Sequence, residues 1–225
     1  MDVCVVRYHS DEERIRPGLR PSDRLIVHDN TLRNLGFAGG ANAAAREGTD
    51  ALICFVNPDG DLTPECLDAL ESAFDDPGVV AVSADSSDWN PGPMEAPDWL
   101  TGTCLAVRRE AFEAVGGFDE RLFMYQEDLD LSYKLKRLGR LVRTDVCFAH
   151  DWRPHPSLLN THRSFRNYLV VSARHRTTMS PEHDGGSPRG MLRDAARSVR
   201  ARQYWFVLPR ITGTLDYLTR ARRWV

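Results

Sequence analysis

The sequence predicts an α/β protein with a mainly parallel central sheet flanked by helices. Three short runs rich in β-branched residues, at 2–8, 24–28 and 51–56, alternate with helical patterns. The run at 51–56 is apolar on both faces, which is typical of a strand that is covered on both sides. The chain has 225 residues, 42% of them hydrophobic, so it can bury a core of the size that such a sheet needs.

The other elements follow from local signals along the chain. Glycines lead into an alanine-rich helix at 36–48, and Pro64 begins an amphipathic helix that ends before a Pro-Gly turn. A loop is expected over 86–98, which contains three prolines and Trp89. Further strands are predicted at 79–85, 101–108 and 140–150, and further helices at 109–115 and 126–139.

Composition narrows the cellular setting. No apolar run approaches the ~18 residues of a membrane-spanning helix, and the first residues, MDVCVVRY, predict a strand rather than a signal peptide. The five cysteines form no CxxC pair and mostly lie inside apolar runs, which is typical of buried thiols in a reducing compartment. We therefore expect a cytoplasmic protein.

Charge is distributed unevenly. Residues 1–150 carry a net charge of −12, whereas residues 151–225 carry +9, and all 14 basic residues of the second part are arginine. A basic segment beside an acidic body predicts contact with something anionic: a lipid surface, a polyanion or the acidic body itself. A solvated helix face is the simpler alternative.

Polar side chains cluster where the predicted parallel strands end. His9-Ser10, Asp29-Asn30 and the segment 57–61 each lie where a strand ends, and ligands of such sheets bind beyond the carboxyl ends of the strands. Asp59 and Asp61 follow a buried strand, and hard divalent cations prefer such oxygen ligands. The alternative is an ordinary Pro-Asp-Gly turn. A phosphatase of the haloacid dehalogenase type is disfavoured, because its nucleophile position would hold Asn57.

Five segments in a fixed order resemble those of one enzyme family. They are NLGFAGGAN at 34–42, Asn57-Pro58-Asp59, WLTGTCLAVRREAFEAVGGFDERLF at 99–123, QEDLDL at 126–131, and His150 after the last strand. Together they resemble the motifs of family-2 inverting glycosyltransferases, particularly the rhamnosyltransferase-like branch. The chain departs from the family by lacking the usual Ser-x-Asp-Gly-Ser stretch after Asp29.

The resemblance implies a GT-A fold, in which a nucleotide-binding parallel half and a mixed-sheet acceptor half form one domain. We place the catalytic domain at residues 1–155, with the nucleotide-sugar half at about 1–85 and the acceptor half at about 86–155. A basic helical C-terminal extension follows at 156–225.

The resemblance also implies a role for each matched residue. Asp128 is the expected general base, and Glu127 orients or contacts the acceptor. The implied metal ligands are Asp59, Asp61 and His150, the donor contacts are Asp29, Asn34, Gly36, Gly39, Asn42 and Asn57, and the acceptor contacts are Trp99, Thr101 and Gly102. From the residues alone, several have a structural alternative: acids suit the first turn of a helix, glycines a helix entry, His150 a hydrogen-bonded structural role, and Trp99 core packing.

The implied activity is metal-dependent transfer, with inversion, of a sugar from a dTDP- or UDP-sugar to a hydroxyl group, with Mg²⁺ or Mn²⁺ as cofactor. The acceptor would be a glycan, a lipid-linked molecule or a small molecule, in the synthesis of cell-surface glycans, glycolipids or glycosylated metabolites. A catalytically silent carbohydrate- or nucleotide-binding relative is one alternative. A nucleotidyltransferase is another, although residues 7–18 supply no glycine-rich phosphate loop. No nucleic-acid-binding module is recognisable.

The basic extension predicts a surface helix. Residues 189–208 place four arginines at helical spacing, aromatic residues follow at 204–206, and a Gly/Pro/Ser-rich hinge precedes them at 181–188. Arginines beside large aromatics are typical of a helix at an anionic membrane surface, so we expect the protein at the inner face of the cell membrane. A helix folded against the acidic body, or a homodimer contact, would use the same arginines.

Overall fold

The computed structural model describes residues 1–85, 94–95, 97–150, 157–179, 200 and 207–225. Its strands are β1 (Asp2–Arg7), β2 (Arg24–Asp29), β3 (Leu52–Val56), β4 (Gly60–Asp61), β5 (Val79–Asp85), β6 (Met94–Glu95), β7 (Cys104–Arg108), β8 (Arg140–Cys147) and β9 (Ala149–His150). Its helices are α1 (Gly36–Glu47), α2 (Pro64–Ser72), α3 (Arg109–Ala114), α4 (Glu127–Leu135), α5 (Leu158–Arg174) and α6 (Val207–Thr219).

Seven strands form the central sheet, in the order β2-β1-β3-β7-β5-β8-β6. The pairs β1–β2, β1–β3 and β5–β8 are parallel, whereas β7 runs antiparallel to β3 and β5, and β6 runs antiparallel to β8. The strands β4 and β9 pair with each other in a separate antiparallel ribbon. The predicted α/β class is confirmed. In the order of the sheet, the strands on one side of β7 (β2, β1 and β3) are parallel to one another, and those on the other side (β5, β8 and β6) are mixed.

Strand β3 is buried on both faces because helical layers cover both sides of the sheet. Ile53 and Phe55 belong to an apolar cluster with residues of α1, α3 and α4, whereas Cys54 and Val56 belong to a cluster with residues of α2. The four cysteines with described side chains are buried free thiols, as the sequence predicts. The alternation along β3 therefore fixes which helices cover which face.

The predicted strand at 140–150 is divided in two. β8 ends at Cys147, the side chain of Phe148 is fully buried, and β9 then pairs with β4. Gly60 is required in β4, because a Cβ there would lie 2.1 Å from Phe148 Cζ. Strands β4 and β6 were not predicted, since a two-residue strand is too short to show an alternating pattern.

The described part of the C-terminal extension packs against the body of the protein. Helices α5 and α6 contact each other, and α5 shares a third apolar cluster with Leu129 and Tyr133 of α4. None of the helices in the described ranges combines the length and the apolar character needed to span a bilayer. The predicted hinge at 181–188, the aromatic residues 204–206 and Trp89 lie outside the described residues.

Candidate active site

The carboxyl ends of β1, β2 and β3 meet at one edge of the sheet, as predicted. Arg7 and Asp29 are in register at the ends of β1 and β2, and Arg7 Nη2 lies 2.7 Å from Asp29 Oδ2. Asp29 Oδ1 also accepts a hydrogen bond of 2.8 Å from the backbone N–H of Thr31. The contacts with Thr31 and with Arg7 hold the pKa of Asp29 well below its usual range. Asp29 is therefore a fixed anion at this edge, with 41% of its side chain exposed.

The turn after β3 brings Asn57 and Asp59 to His150. His150 Nε2 lies 3.1 Å from Asp59 Oδ1 and 3.4 Å from Asn57 Nδ2. His150 reaches this turn because β9 pairs with β4, which places Gly60 opposite His150. Burial opposes ionisation of Asp59, but the hydrogen bond and charge of His150 bring the pKa of Asp59 below its ordinary value. The Asp59 side chain is 53% exposed, so its carboxylate is open to a ligand.

Asp61 is held by a different partner. Arg14 donates to both carboxylate oxygens of Asp61, from Nε at 2.7 Å and from Nη2 at 2.8 Å, and its Nη1 donates to the carbonyl oxygen of Asp59 at 3.1 Å. Bidentate arginine–carboxylate contacts combine two charge-assisted hydrogen bonds. The structure therefore brings Asp59 to His150 but directs the carboxylate of Asp61 to Arg14.

Asp59 and His150 form a donor pair that fits a divalent cation. A carboxylate oxygen and an imidazole nitrogen 3.1 Å apart are both ligands that Mn²⁺ accepts, and a carboxylate also suits Mg²⁺. Within the described ranges, no three His, Cys, Asp or Glu side chains converge into a complete metal site. The remaining ligands would therefore have to come from a phosphate-bearing substrate and from water.

Asp128 lies in the first turn of α4, and its carboxylate contacts the loop before β7. Its Oδ2 accepts a 3.0 Å hydrogen bond from the backbone N–H of Gly102, and its Oδ1 accepts one of 2.8 Å from that of Leu129. Gly102 allows this approach, because a Cβ there would already lie 3.3 Å from Asp128 Cβ. Burial raises the pKa of Asp128 above its ordinary value, against the effect of the two N–H donors. A raised pKa makes a carboxylate a better proton acceptor.

Glu127 lies beside Asp128 and is 8% exposed. Its Oε2 is buried and has no hydrogen-bond partner among the described residues. Burial, followed by the negative charge of Asp128, raises the pKa of Glu127. Two N–H donors stabilise the Asp128 carboxylate, whereas none among the described residues reaches Glu127 Oε2, so burial favours the neutral form of Glu127 more strongly than that of Asp128.

Two adjacent residues, Gly102 and Thr103, connect the Asn57–Asp59 turn with the Glu127–Asp128 pair. The carbonyl oxygen of Thr103 accepts a 2.9 Å hydrogen bond from the backbone N–H of Asn57, and Gly102 donates to Asp128. The Asn57–Asp59 turn and the Glu127–Asp128 pair are thus anchored to neighbouring peptide units. Thr101 is buried and its hydroxyl bonds that of Thr103, while Trp99 packs partly buried against the apolar cluster between α4 and α5.

The glycines at the entry to α1 are explained by backbone geometry. Gly36 has a φ of +72°, and a Cβ there would lie 2.2 Å from the carbonyl oxygen of Phe123. Asn34 Oδ1 accepts a 2.8 Å hydrogen bond from the Gly36 N–H, and Gly39 packs closely on the preceding turn. These residues fix where α1 begins relative to the strand edge.

Asn42, in the middle of α1, has a different environment. Its Nδ2 donates to the carbonyl oxygen of Phe118 at 2.9 Å, and its Oδ1 accepts from the N–H of Phe118 at 3.0 Å. Nδ2 also lies 3.1 Å from Glu120 Oε1. The amide of Asn42 is therefore engaged with the 118–120 segment and is not brought to Asp59 or Asp128 by these contacts.

Sequence reasoning missed two residues that hold the site together: Arg14 fixes the 59–61 turn, and Asn167 of α5 bonds the turn before α4. Asn30, which the sequence places beside Asp29 at the strand edge, is buried and bridges Leu35 and Gly36 before α1. Arg14 lies 47 residues from Asp61, so no local pattern links them.

Comparison with known proteins finds relatives that are similar to parts of this chain. The chain is 60% identical over 50 residues to the N-acetylglucosaminyl-diphospho-decaprenol L-rhamnosyltransferase of Mycobacterium tuberculosis, which is 22% of this chain and 16% of the relative. It is 31% identical over 181 residues to the O-antigen biosynthesis protein RfbC of Myxococcus xanthus, covering 64% of this chain and 14% of that protein. The chain thus spans well under two thirds of these relatives' lengths. No family model matches the chain.

A solved structure shows the same fold. The mannosyltransferase PcManGT from Pyrobaculum calidifontis, in complex with GDP-Man and Mn²⁺, aligns with a TM-score of 0.64 and 16% sequence identity. The alignment covers 97% of this chain and 86% of that one. The resemblance predicted from the motifs is confirmed: the chain is similar in sequence to rhamnosyltransferases, and its fold is the GT-A fold of glycosyltransferases.

Proposed function

We propose that this chain transfers a sugar from a nucleotide diphosphate to a hydroxyl acceptor, with inversion at the anomeric carbon. The observation that carries the proposal concerns two adjacent residues. The carbonyl oxygen of Thr103 accepts a hydrogen bond from the backbone N–H of Asn57, and the backbone N–H of Gly102 donates one to Asp128. A single backbone segment thereby joins a cation-binding turn to a base. The names of the sequence relatives and of the Mn²⁺-bound structural neighbour support the same class of reaction.

The donor side is assigned to the strand edge. Asp59 and His150 would hold Mg²⁺ or Mn²⁺, which when bound supplies positive charge against the leaving diphosphate. Asp61 would coordinate the cation only after its carboxylate releases Arg14, so we propose that it contributes less to cation binding than Asp59 and His150.

The nucleotide is proposed to contact Asp29 and Asn57, both at strand ends. Asn34, Gly36 and Gly39 would shape the α1 side of the same pocket. Asn42 would act through the loop that it holds.

On the acceptor side, Asp128 is proposed as the general base. The acceptor oxygen attacks the anomeric carbon opposite the diphosphate, its proton passes to Asp128, and the bond to the diphosphate breaks so that the nucleoside diphosphate leaves with the electron pair. One displacement gives one inversion. Glu127, as a neutral acid, would donate a hydrogen bond to the acceptor, and Trp99 and Thr101 would line its approach.

The substrates are proposed from the relatives. Because some of the matched relatives are named rhamnosyltransferases, we propose a dTDP-sugar such as dTDP-rhamnose as the donor, with UDP-sugars next. One relative's name specifies a diphospho-decaprenol acceptor, so we propose a lipid-linked saccharide as acceptor in surface-glycan synthesis. A soluble glycan or small-molecule acceptor is the alternative.

Thermal unfolding with a panel of nucleotide sugars, followed by nucleoside diphosphate release, tests the proposal. A donor present at 100 times its dissociation constant adds ~2.7 kcal/mol of stability, and we expect this only with Mg²⁺ or Mn²⁺ present. Release that stops with EDTA supports an enzyme. Binding without release for any acceptor would instead indicate a catalytically silent relative, and absence of binding would refute the donor site.

We further propose that the outer face of α6 rests on an anionic membrane. The inner face of α6 makes polar contacts: Thr212 Oγ1 lies 2.9 Å from His162 Nδ1, and Asp216 Oδ2 lies 3.2 Å from His162 Nε2. Four large aliphatic side chains, each more than half exposed, lie at helical spacing on the outer face: Leu208, Ile211, Leu215 and Leu218. An apolar stripe that faces outward while polar groups face inward is typical of an interfacial helix.

The positive charge near this face of α6 favours an anionic lipid surface as its partner. The exposed arginines Arg220, Arg222 and Arg223 follow α6, and 207–225 contain only one acidic residue, Asp216. Each basic residue near an anionic surface contributes ~1 kcal/mol at low salt. We therefore propose that the protein lies in the cytoplasm, at the inner face of the cell membrane.

Sedimentation with phosphatidylglycerol vesicles tests the membrane proposal. Leu215→Asp should abolish vesicle binding, whereas Leu138→Asp, at a leucine that is 51% exposed but outside α6, should not. A change in oligomeric state with no change in vesicle binding would instead identify the face as a homodimer contact.

A further inference from the structure

The turn that leads into α4 is strained. Phe123, Tyr125 and Gln126 have positive φ values of 66°, 72° and 69°. A residue of this kind costs ~1–3 kcal/mol and persists only where its surroundings fix it. The turn ends at Glu127 and Asp128, so whatever fixes the turn also sets the position of the proposed base.

Asn167 of α5 supplies this constraint. Its side chain is fully buried, and its Nδ2 lies 2.8, 3.0 and 2.8 Å from the carbonyl oxygens of Leu122, Met124 and Tyr125. Its Oδ1 accepts hydrogen bonds from Arg166 Nε at 3.0 Å and Nη2 at 2.7 Å, which fixes the orientation of the amide. One side-chain amide therefore closes the whole turn, with its two hydrogens shared among three acceptors.

Other contacts of α5 reach the chain before and after Asp128. The guanidinium of Arg163 lies 4.7 Å from the centroid of the Phe123 ring, before α4. Within α4, the fully buried Asp130 forms an ion pair of 2.7 Å with Arg174. The C-terminal extension thus holds the segment that carries the proposed base.

We propose that Asn167 is a positioning residue for Asp128: it acts through the turn at 122–125 and does not contact substrate. The effect of Asn167 on the reaction rate rests on the proposed glycosyl transfer. Without the amide, three carbonyl groups lose their donor and the strained φ values can relax, which moves Asp128 relative to the acceptor. A displacement of ~1 Å costs about 100-fold in rate. The donor site at Asp59 and His150 lies on other elements and keeps its affinity.

Steady-state kinetics of full-length variants test the proposal. We expect Asn167→Ala to lower kcat about 10- to 100-fold with the donor KM within about twofold of wild type. Asn167→Asp keeps the shape but removes the NH₂ donor, and it replaces the alanine variant if that variant does not fold. Thr212→Val is the matched control, because it removes a hydrogen bond of 2.9 Å between α5 and α6 without touching the turn. The control should keep the wild-type kcat.

Amide hydrogen exchange provides a readout that does not depend on activity. We expect the amides of 123–129 to exchange about tenfold faster in the Asn167 variants, and at the wild-type rate in Thr212→Val. If the wild-type protein releases no nucleoside diphosphate, the proposed function fails, and exchange alone then decides the role of Asn167. Unchanged exchange at 123–129, or an equal loss of kcat in Thr212→Val, would overturn the inference.

Discussion

The two acidic residues at the start of α4 should respond differently to isosteric neutralisation. Asp128→Asn removes the proposed base, whose carboxylate accepts hydrogen bonds from the N–H groups of Gly102 and Leu129. Glu127→Gln replaces a group whose Oε2 is buried without a partner and whose pKa burial and the Asp128 charge raise. The first change removes a carboxylate that two N–H donors stabilise, and the second replaces a carboxyl group whose neutral form burial favours.

The expected magnitudes follow from these contacts. Loss of a general base costs about 100- to 10,000-fold in rate, which corresponds to ~2.7–5.4 kcal/mol of transition-state stabilisation. The asparagine also turns an NH₂ group towards one backbone N–H, which costs ~1–3 kcal/mol of stability. Glu127→Gln loses no hydrogen bond at Oε2, so we expect kcat within about tenfold of wild type and a modest rise in the acceptor KM.

Nucleoside diphosphate release with saturating donor and acceptor measures both variants. Calorimetry of nucleotide binding is the control, and it should give nearly the same affinity in wild type, Asp128→Asn and Glu127→Gln. If Asp128→Asn turns over like wild type, or if Glu127→Gln is the more damaged of the two, the assignment of the base to Asp128 is wrong.

Three further substitutions and a pH titration test other features of the site. Asp59→Ala should weaken Mn²⁺-dependent nucleotide binding and activity together, with a milder effect of Asp61→Ala, and unchanged calorimetric binding in Asp59→Ala would exclude Asp59 as a ligand. Gly36→Ala should lower the free energy of unfolding by ~1–2 kcal/mol or more, measured by urea denaturation, because its φ is +72° and a Cβ would overlap a carbonyl oxygen. Folding raises the pKa of Glu127 above its ordinary value of 4.5, so wild-type stability should fall as pH rises from that value through the raised pKa. Glu127→Gln lacks this titration, and its stability relative to wild type should therefore increase with pH, whereas a constant difference would contradict the burial argument.

The sequence predicted the elements that have local signals. β3 alternates between two apolar clusters, and such a strand appears in the sequence as a continuous apolar run. The two-residue strands β4 and β6 leave no such pattern, yet β4 is what places His150 opposite Gly60. The pairing of Asp59 with His150 therefore required the structure or the family resemblance.

The remaining features of the site depend on contacts between residues that are far apart in the sequence, and the sequence did not predict them. Asn42 lies in a motif associated with donor binding, but its amide bonds Phe118, 76 residues away. Arg14 and Asn167 are ordinary polar residues in the sequence, and their importance depends on partners more than 40 residues distant. Local propensity and spacing carry no information about such pairs.

The most direct test of the central claim is the product of a single reaction. The wild-type protein is incubated with the nucleotide sugar that stabilises it most and with a matching hydroxyl acceptor, with Mn²⁺ and then with EDTA, and the new glycosidic bond is examined by NMR. We predict one product whose anomeric configuration is opposite to that of the donor, formed with Mn²⁺ and absent with EDTA. A product that retains the donor configuration, or transfer that is undiminished by EDTA, would contradict metal-dependent inversion by Asp128.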